Sequence, residues 1–235
     1  MSTLDAGIRA RLDQVRSRMA AASARAGRPA GSVRLIAVSK TFGLDQVRAA
    51  ARAGQLEFGE NRVQEALQKI AGSADLLIRW HLVGHLQSNK ARKAVGSFAC
   101  IQSVDSHELL ERLESTAADL GVAPELLIQV DLAGEPTKHG AATSSVTALF
   151  ERARRCKAAR VVGLMTLPPF FEDPERARPY FQQLRDLRDE LLAGGLEPAM
   201  LRELSMGMSN DLEVAIEEGA TMVRVGTAIF GARDA

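Results

Sequence analysis

The 235-residue sequence has few cysteines and almost no excess of either charge. Its two cysteines, Cys100 and Cys156, form no C-x-x-C pair and are too few for a disulfide framework. The 30 Lys and Arg residues against 29 Asp and Glu residues give a formal net charge of +1, so no global field favours nucleic acid or a membrane surface. We therefore expect a cytoplasmic protein that binds neither nucleic acid nor membranes.

Long hydrophobic runs are also missing. No stretch approaches the roughly 18 apolar residues of a membrane span, and the N-terminus shows no apolar signal segment with a small-residue cleavage site. No low-complexity linker or shift in composition divides the chain into halves. Because 46% of the residues are hydrophobic, a full core is available, and we expect one soluble domain over residues 1–235.

Helical and strand patterns alternate along the chain. Apolar residues spaced by three and four, among them Leu4, Ile8, Leu12 and Val15, predict an amphipathic helix within residues 1–26. Eight short apolar segments then alternate with helical patterns. These predicted strands cover residues 34–39, 56–59, 78–83, 100–104, 125–132, 161–165, 203–206 and 222–225.

Eight strand–helix units are the number found in a closed β/α barrel. An open doubly wound sheet shows the same alternation, but no G-x-G-x-x-G motif follows any predicted strand and no boundary separates two halves. The sequence therefore predicts an α/β protein with a single TIM-type (β/α)8 barrel and one extra N-terminal helix. The active face of such barrels lies at the carboxyl ends of the strands.

The first predicted strand ends in a lysine, within Ser39-Lys40-Thr41. An amine at the end of a buried strand can be desolvated enough to be partly neutral, as a carbonyl-condensing lysine requires. The alternative is a lysine that only faces water. Lys40 is our candidate for covalent attachment of a ligand.

The loops after the last two strands carry glycine and hydroxyl side chains. Ser205 and Ser209 flank a glycine just before a predicted helix, and Gly226-Thr227 follows the eighth strand. Loops at these two places commonly bind phosphate in β/α barrels, because their backbone N–H groups are available to an anion. An ordinary helix cap and a tight turn are the alternative interpretation.

Arg224 lies inside the apolar eighth strand, where an unpaired guanidinium would be costly. It requires an anion or a ring nitrogen from a ligand, or else a salt bridge to Glu203 or Asp211. A phosphate site in the same barrel mouth as Lys40 fits a phosphorylated aldehyde held as a Schiff base. Pyridoxal 5'-phosphate (PLP) meets that description.

Five segments of the chain resemble one family: AVSKTF, FGENRVQE, WHLVGHLQSNK, GLMT and LSMGMSNDLEVAIEEGATMVRVGTAIFG. From about residue 34 onward, the sequence resembles the pyridoxal phosphate homeostasis proteins of the YggS/PROSC type. The resemblance implies a barrel like the N-terminal domain of alanine racemase, in which Lys40 carries PLP as an internal aldimine. It further implies that the phosphate is surrounded by Ser205, Gly207, Ser209, Gly226 and Thr227, that Arg224 lies beside the cofactor, and that Asn61, His81 and Met165 line the pocket.

The residues favour a carrier over a catalyst. Racemases and decarboxylases with this barrel need a second acid or base, usually from another domain, whereas here the sole tyrosine, Tyr180, falls in a predicted outer helix. We therefore predict a non-catalytic protein that binds PLP. The resemblance further implies a role in PLP homeostasis, in which the protein supplies or buffers PLP and influences amino and keto acid balance. A weakly active PLP-dependent racemase is the alternative.

The expected partners are PLP and, as candidate recipients, PLP-dependent apo-enzymes, and the expected state is a monomer or a weak homodimer. Lys138 offers either a second amine for PLP or a surface charge, and we favour the surface charge. His81 and His85 fall on a strand and its loop rather than on one helix face, so no metal site is predicted.

Overall fold

Eight parallel strands form a closed barrel in the computed structural model, which describes residues 2–134 and 139–231. The strands of the described residues are β1 (Arg34–Val38), β2 (Glu57–Glu60), β3 (Arg79–Leu82), β4 (Cys100–Val104), β5 (Glu125–Asp131), β6 (Ala141–Ala142), β7 (Arg160–Met165), β8 (Glu203–Ser205) and β9 (Met222–Val225). The barrel order is β1-β2-β3-β4-β5-β7-β8-β9, and β9 pairs with β1 to close it. The predicted TIM-type barrel is confirmed.

Helices surround this barrel. Those of the described residues are α1 (Thr3–Arg25), α2 (Leu44–Arg52), α3 (Val63–Gly72), α4 (Ala91–Val95), α5 (His107–Leu120), α6 (Thr143–Ala153), α7 (Arg178–Ala193), α8 (Leu212–Glu217) and α9 (Thr227–Phe230). Among the residues with described coordinates, no helix combines the length and the apolar character that a membrane span needs. Two elements, β6 and α9, had no counterpart in the sequence prediction, because two and four residues are too short to show a period.

The extra N-terminal helix α1 packs against α2, α8 and α9. Ser2 caps it, since the Ser2 hydroxyl accepts a hydrogen bond from the Asp5 N–H and the Asp5 carboxylate accepts one from the Ser2 N–H. Its buried apolar face includes Ile8, Leu12 and Val15. The helix therefore belongs to the same hydrophobic core as the ring of helices behind the barrel.

The interior of the barrel holds an apolar layer and a polar layer. The apolar layer consists of Ile36, Cys100, Leu127, Val162, Met165 and Met222. The polar side chains are His81, Gln102 and Ser205, which are all fully buried. Buried polar groups need hydrogen-bond partners, so the polar layer restricts how the interior can be arranged.

Charged residues of alternating sign stand at the amino ends of the strands. Arg34 pairs with Glu203 at 2.8 Å and lies 3.7 Å from Glu57, while Glu125 pairs with Arg79 and with Arg202. This ring covers the amino face of the barrel. The opposite face, which we call the barrel mouth, contains the carboxyl ends of the strands and is open to a ligand.

Candidate functional site

A cavity of ≈ 290 Å³ lies at the barrel mouth. Its lining consists of Val38, Lys40, Asn61, Val83, Leu167, Phe170, Met208, Ser209, Asn210, Asp211, Arg224, Gly226 and Thr227. Six of the ten predicted cofactor residues are among them, namely Lys40, Asn61, Ser209, Arg224, Gly226 and Thr227. The fold thus brings residues that are up to 187 positions apart, Lys40 and Thr227, into one cavity.

Lys40 follows β1 and is half-buried, directly after the fully buried Ser39. The chain turns sharply here, because the Phe42 N–H donates a hydrogen bond of 3.0 Å to the Ser39 carbonyl oxygen. Thr41 has a positive φ of 69°. This turn ends the strand at the edge of the cavity and presents Lys40 there, as the sequence predicted from the strand pattern.

Arg224 is held by neutral acceptors. Its Nη1 donates to the Ser205 hydroxyl at 2.5 Å and its Nη2 donates to the Thr166 carbonyl oxygen at 2.8 Å. Within the described part of the chain no carboxylate oxygen lies within ion-pairing distance of this guanidinium. The alternative of a salt bridge to Glu203 or Asp211 is therefore not what the structure contains.

Burial lowers the pKa of Arg224 to about 10, which still leaves it charged at neutral pH. Because its direct partners are neutral and its side chain lines the cavity, the positive charge acts on whatever occupies the cavity. Burial also raises the pKa of Asp211 on the same wall. The hydrogen bond from the Met208 N–H and the positive charge of Arg224 oppose this increase in the pKa of Asp211.

The loops after β8 and β9 contact each other. The Ala228 N–H donates to the Ser209 hydroxyl at 3.3 Å, and the Arg224 N–H donates to the Gly207 carbonyl oxygen at 2.9 Å. Gly207 has a φ of 93°, and a Cβ there would lie 2.5 Å from the Ala215 Cβ. Only glycine suits that position, so the observed path of the loop carrying Ser209 depends on Gly207.

Four predicted cofactor residues lie beneath the cavity instead of lining it: His81, Met165, Ser205 and Gly207. Met165 belongs to the apolar interior layer, and Gly207 packs against Ala215. Ser205 and His81 belong to a chain of hydrogen bonds that starts at Arg224. In this series of hydrogen bonds, the Ser205 hydroxyl donates to Gln102 Oε1 at 2.6 Å. Gln102 Nε2 lies 3.0 Å from His81 Nδ1, and His81 Nε2 lies 2.8 Å from Glu57 Oε2.

These hydrogen bonds determine which ring nitrogen of His81 carries the proton. Since the Gln102 amide oxygen accepts from Ser205, its Nε2 must be the donor to His81 Nδ1, and the proton of a neutral imidazole is then on Nε2 facing Glu57. Burial lowers the pKa of His81 in agreement with that arrangement. A second proton on Nδ1 would break the bond to Gln102.

Gln102 and Phe170 are site features that the sequence analysis did not select. Gln102 is a polar residue in the middle of the apolar fourth strand, and that contrast was a usable signal. Phe170 follows Pro168-Pro169 and is 76% exposed although it borders the cavity. Sequence offered no signal for Phe170, because its place at the rim depends on the path of the loop.

His85 lies apart from His81, at the mouth. Its ring stacks on that of His139 with 3.6 Å between centroids and 9° between planes, and its Nδ1 lies 3.5 Å from Asp105 Oδ2. One possible ligand atom from each of His85, Asp105 and His139 lies within 4.8 Å of the other two, so these three side chains are close enough together to hold a metal ion. The absence of a metal site therefore stays a prediction. Lys138, the other candidate amine, lies outside the described residues.

The cavity residues fit a phosphorylated pyridine aldehyde. Lys40 supplies an amine, and the loops around Ser209 and Gly226 supply hydroxyl and backbone groups of the kind that bind phosphate. Val38, Val83 and Leu167 supply apolar surface for a ring. The positive charge of Arg224, whose direct hydrogen-bond partners are neutral, gives the ring or its substituents a cationic neighbour.

The comparisons with known proteins agree with this geometry. The family model for the N-terminal domain of alanine racemase matches residues 10–234. The fold and the site therefore define a barrel protein of the alanine racemase N-terminal domain class.

The pyridoxal phosphate homeostasis protein of Aquifex aeolicus is 43% identical over 223 residues, which cover 95% of this chain and 97% of the relative. The human protein of that name is 40% identical, covering 97% of this chain and 87% of its own length. The chain belongs to the pyridoxal phosphate homeostasis protein family.

Solved structures give the same result. PipY of Synechococcus elongatus PCC7942, solved with PLP bound, superposes with a TM-score of 0.85 at 42% identity, covering 95% of this chain and 100% of PipY. An alanine racemase of Clostridium difficile has a TM-score of 0.76 at 14% identity, covering 97% of this chain and 57% of the racemase. The second likeness concerns the fold alone.

Proposed function

We propose that this protein binds PLP in the barrel-mouth cavity, holds it reversibly through Lys40 and so buffers or supplies it inside the cell. The observation that carries the proposal is the meeting of Lys40, the buried cation Arg224 and the two glycine-bearing loops in one cavity. Relatives named pyridoxal phosphate homeostasis proteins and the PLP-bound structure of PipY support it.

The proposed attachment is an aldimine. The Lys40 amine condenses with the aldehyde of PLP, one water leaves, and addition of one water reverses the step. Ser209, Gly226 and Thr227 bind the phosphate, while Arg224 faces the ring. Asn61 lines the same cavity, and Ser205, Gly207, His81 and Met165 support these residues from beneath.

We infer a carrier rather than a catalyst. Stereochemical catalysis on PLP needs an acid or base on each face of the cofactor. The sole tyrosine, Tyr180, stacks on Phe171 with 6.0 Å between centroids and does not line the cavity. A cytoplasmic location, delivery to PLP-dependent apo-enzymes and an effect on amino and keto acid balance remain predictions of this proposal.

The test compares Lys40→Ala with Lys90→Ala, a lysine bordering the neighbouring cavity at the same mouth. Each protein is incubated with PLP, and its visible absorbance is recorded before and after borohydride reduction, followed by peptide mass spectrometry. We expect the wild type and Lys90→Ala to form the lysine-bound species on Lys40, and Lys40→Ala to lose the band.

An unchanged band in Lys40→Ala would contradict the proposed attachment. The same mass spectra show whether Lys138 also becomes labelled. Racemisation of any amino acid by the wild type at a rate well above that of free PLP would contradict the carrier function and favour the enzyme alternative.

A further inference from the structure

The turn that presents Lys40 has an unfavourable backbone conformation. Thr41 is the single non-glycine residue with a positive φ in the described part of the chain, at 69°. It is the third residue of a turn from Ser39 to Phe42, the position at which type II turns normally place glycine. A β-branched residue in this region is strained and persists only where neighbouring contacts hold it.

A buried ion cluster supplies such contacts. Lys69 on α3 is buried, and its Nζ donates to the Ser39 carbonyl oxygen at 2.7 Å, to Glu60 Oε1 at 2.7 Å and to Glu65 Oε1 at 2.9 Å. These bonds use all three of its donors. The Ser39 hydroxyl also donates to Glu60 Oε1 at 2.6 Å.

The cluster reaches the far side of Lys40 as well. Glu65 Oε1 accepts a hydrogen bond of 2.6 Å from the Thr41 N–H. Burial opposes ionisation of Glu65, but the hydrogen bonds from Lys69 and Thr41 outweigh it and hold its pKa below the usual value. Glu65 is therefore a charged acceptor at neutral pH. The residues on both sides of Lys40 are thus tied to one cluster.

We propose that Glu60, Glu65 and Lys69, the turn clamp, hold the strained turn from Ser39 to Phe42 and thereby position the Lys40 amine for its bond with PLP. This inference rests on the proposed function of Lys40. The three residues are positioning residues and do not line the PLP cavity. Lys69 and Glu65 contact the backbone on the two sides of Lys40, and Glu60 binds Lys69 and the Ser39 hydroxyl. Their loss should lower PLP affinity by misplacing the amine.

Glu65→Ala is the variant of choice. Lys69 substitutions would leave the fully buried Glu60 without its cation, which destabilises the fold and obscures the result. Glu65 is partly exposed on α3, so alanine is tolerated there, and Lys69 keeps its bonds to Ser39 and Glu60. Glu65→Gln retains an acceptor for the Thr41 N–H and is the matched control.

Two measurements are made on each variant: amide hydrogen exchange of residues 39–42 without PLP, and PLP affinity by absorbance titration. We expect Glu65→Ala to speed exchange of these amides and to weaken PLP binding about tenfold, within the range expected for the loss of one hydrogen bond. Glu65→Gln should stay near wild type. Glycine adopts positive φ without strain, so Thr41→Gly in the Glu65→Ala background should restore most of the affinity.

The proposal is overturned if Glu65→Ala changes neither exchange nor affinity. It is also overturned if affinity falls but Thr41→Gly restores none of it, because the effect would then not act through the turn. Absence of the lysine-bound species in the wild type itself would overturn the proposed function of Lys40, and is recognised without any clamp variant. If the wild type forms the lysine-bound species but the clamp variants behave like the wild type, the turn clamp is rejected and the proposed function of Lys40 stands.

Discussion

Gly84 allows two strand ends at the barrel mouth to approach closely. A Cβ on Gly84 would lie 2.3 Å from the Asn61 carbonyl oxygen and 2.8 Å from the Asn61 Cα. Both contacts are to backbone, which has no flexible end that can move aside. Since Asn61 and Val83 both line the cavity, the shape of that wall depends on the lack of a side chain at Gly84.

We therefore expect Gly84→Ala to displace Asn61 and to weaken PLP binding by about tenfold or more, because displacement of a positioning residue by about 1 Å has large effects in preorganised sites. Gly96→Ala is the control, since its nearest contact would be 3.4 Å and it lies away from the cavity. Absorbance titration with PLP measures both. Equal affinity of the two variants would show that Asn61 does not shape the site.

Single residues were predictable from sequence where their type conflicted with their surroundings. Lys40 at the end of an apolar strand and Arg224 inside one were selected on that ground, and both line the cavity. Glu60 and Lys69 were not selected, because their pairing depends on how α3 packs behind β2. A pairing of that kind has no periodic signal in the sequence.

At the scale of elements, the strand prediction succeeded because each buried strand is a short apolar run between turn residues. The predicted 100–104 and 222–225 segments coincide with β4 and β9. Between β3 and β4 the chain forms a 3-10 turn, Ser88–Lys90, followed by the short α4. Such divisions depend on local hydrogen bonds that the apolar period does not encode.

The element α1 provides a stability prediction. Leu12 is fully buried in its apolar face, whereas Leu4 on the same helix is 38% exposed. We expect Leu12→Ala to lower the free energy of unfolding by about 2–5 kcal/mol, since a buried leucine loses its packing and leaves a cavity. Leu4→Ala should change it by about 0.5 kcal/mol or less.

Urea denaturation followed by circular dichroism measures both free energies. A single transition with the loss confined to Leu12→Ala would show that α1 unfolds together with the barrel. Similar small effects of the two substitutions would instead show that α1 contributes little to the cooperative unit.

At the scale of the whole molecule, one chain of hydrogen bonds crosses the barrel from mouth to amino face. It runs from Arg224 through Ser205, Gln102 and His81 to Glu57, which lies 3.7 Å from Arg34 in the charged ring. The bond between Gln102 and His81 requires neutral His81, because His81 Nδ1 must accept the proton of the Gln102 amide. Burial raises the pKa of Glu57, but the hydrogen bond from His81 and the nearby Arg34 outweigh it and keep it ionised. Protonation of His81 therefore opposes the folded arrangement.

Acid should destabilise the folded protein through His81. The pKa of His81 is lowered in the folded protein by burial, so below its ordinary value of 6.5 the unfolded chain takes up a proton that the folded chain resists. The contribution of neutral His81 to the free energy of unfolding is thus fully present above about pH 6.5. It falls as the pH drops toward the folded pKa, by at most about 1.4 kcal/mol per pH unit. Glu60 acts in the opposite sense, because burial raises its pKa and its contribution is lost as pH rises.

The difference between wild type and His81→Gln isolates this effect, since Glu60 and the other histidines are present in both proteins. Glutamine can still donate to Glu57 and accept from Gln102, but it does not titrate. We expect the free energies of unfolding of the two proteins to run parallel above about pH 7 and to diverge below about pH 6.5, the wild type losing more stability. Denaturant titrations across this range measure the curves. If they remain parallel down to about pH 5, His81 does not link the interior chain to pH, and another group must account for any acid sensitivity of the barrel.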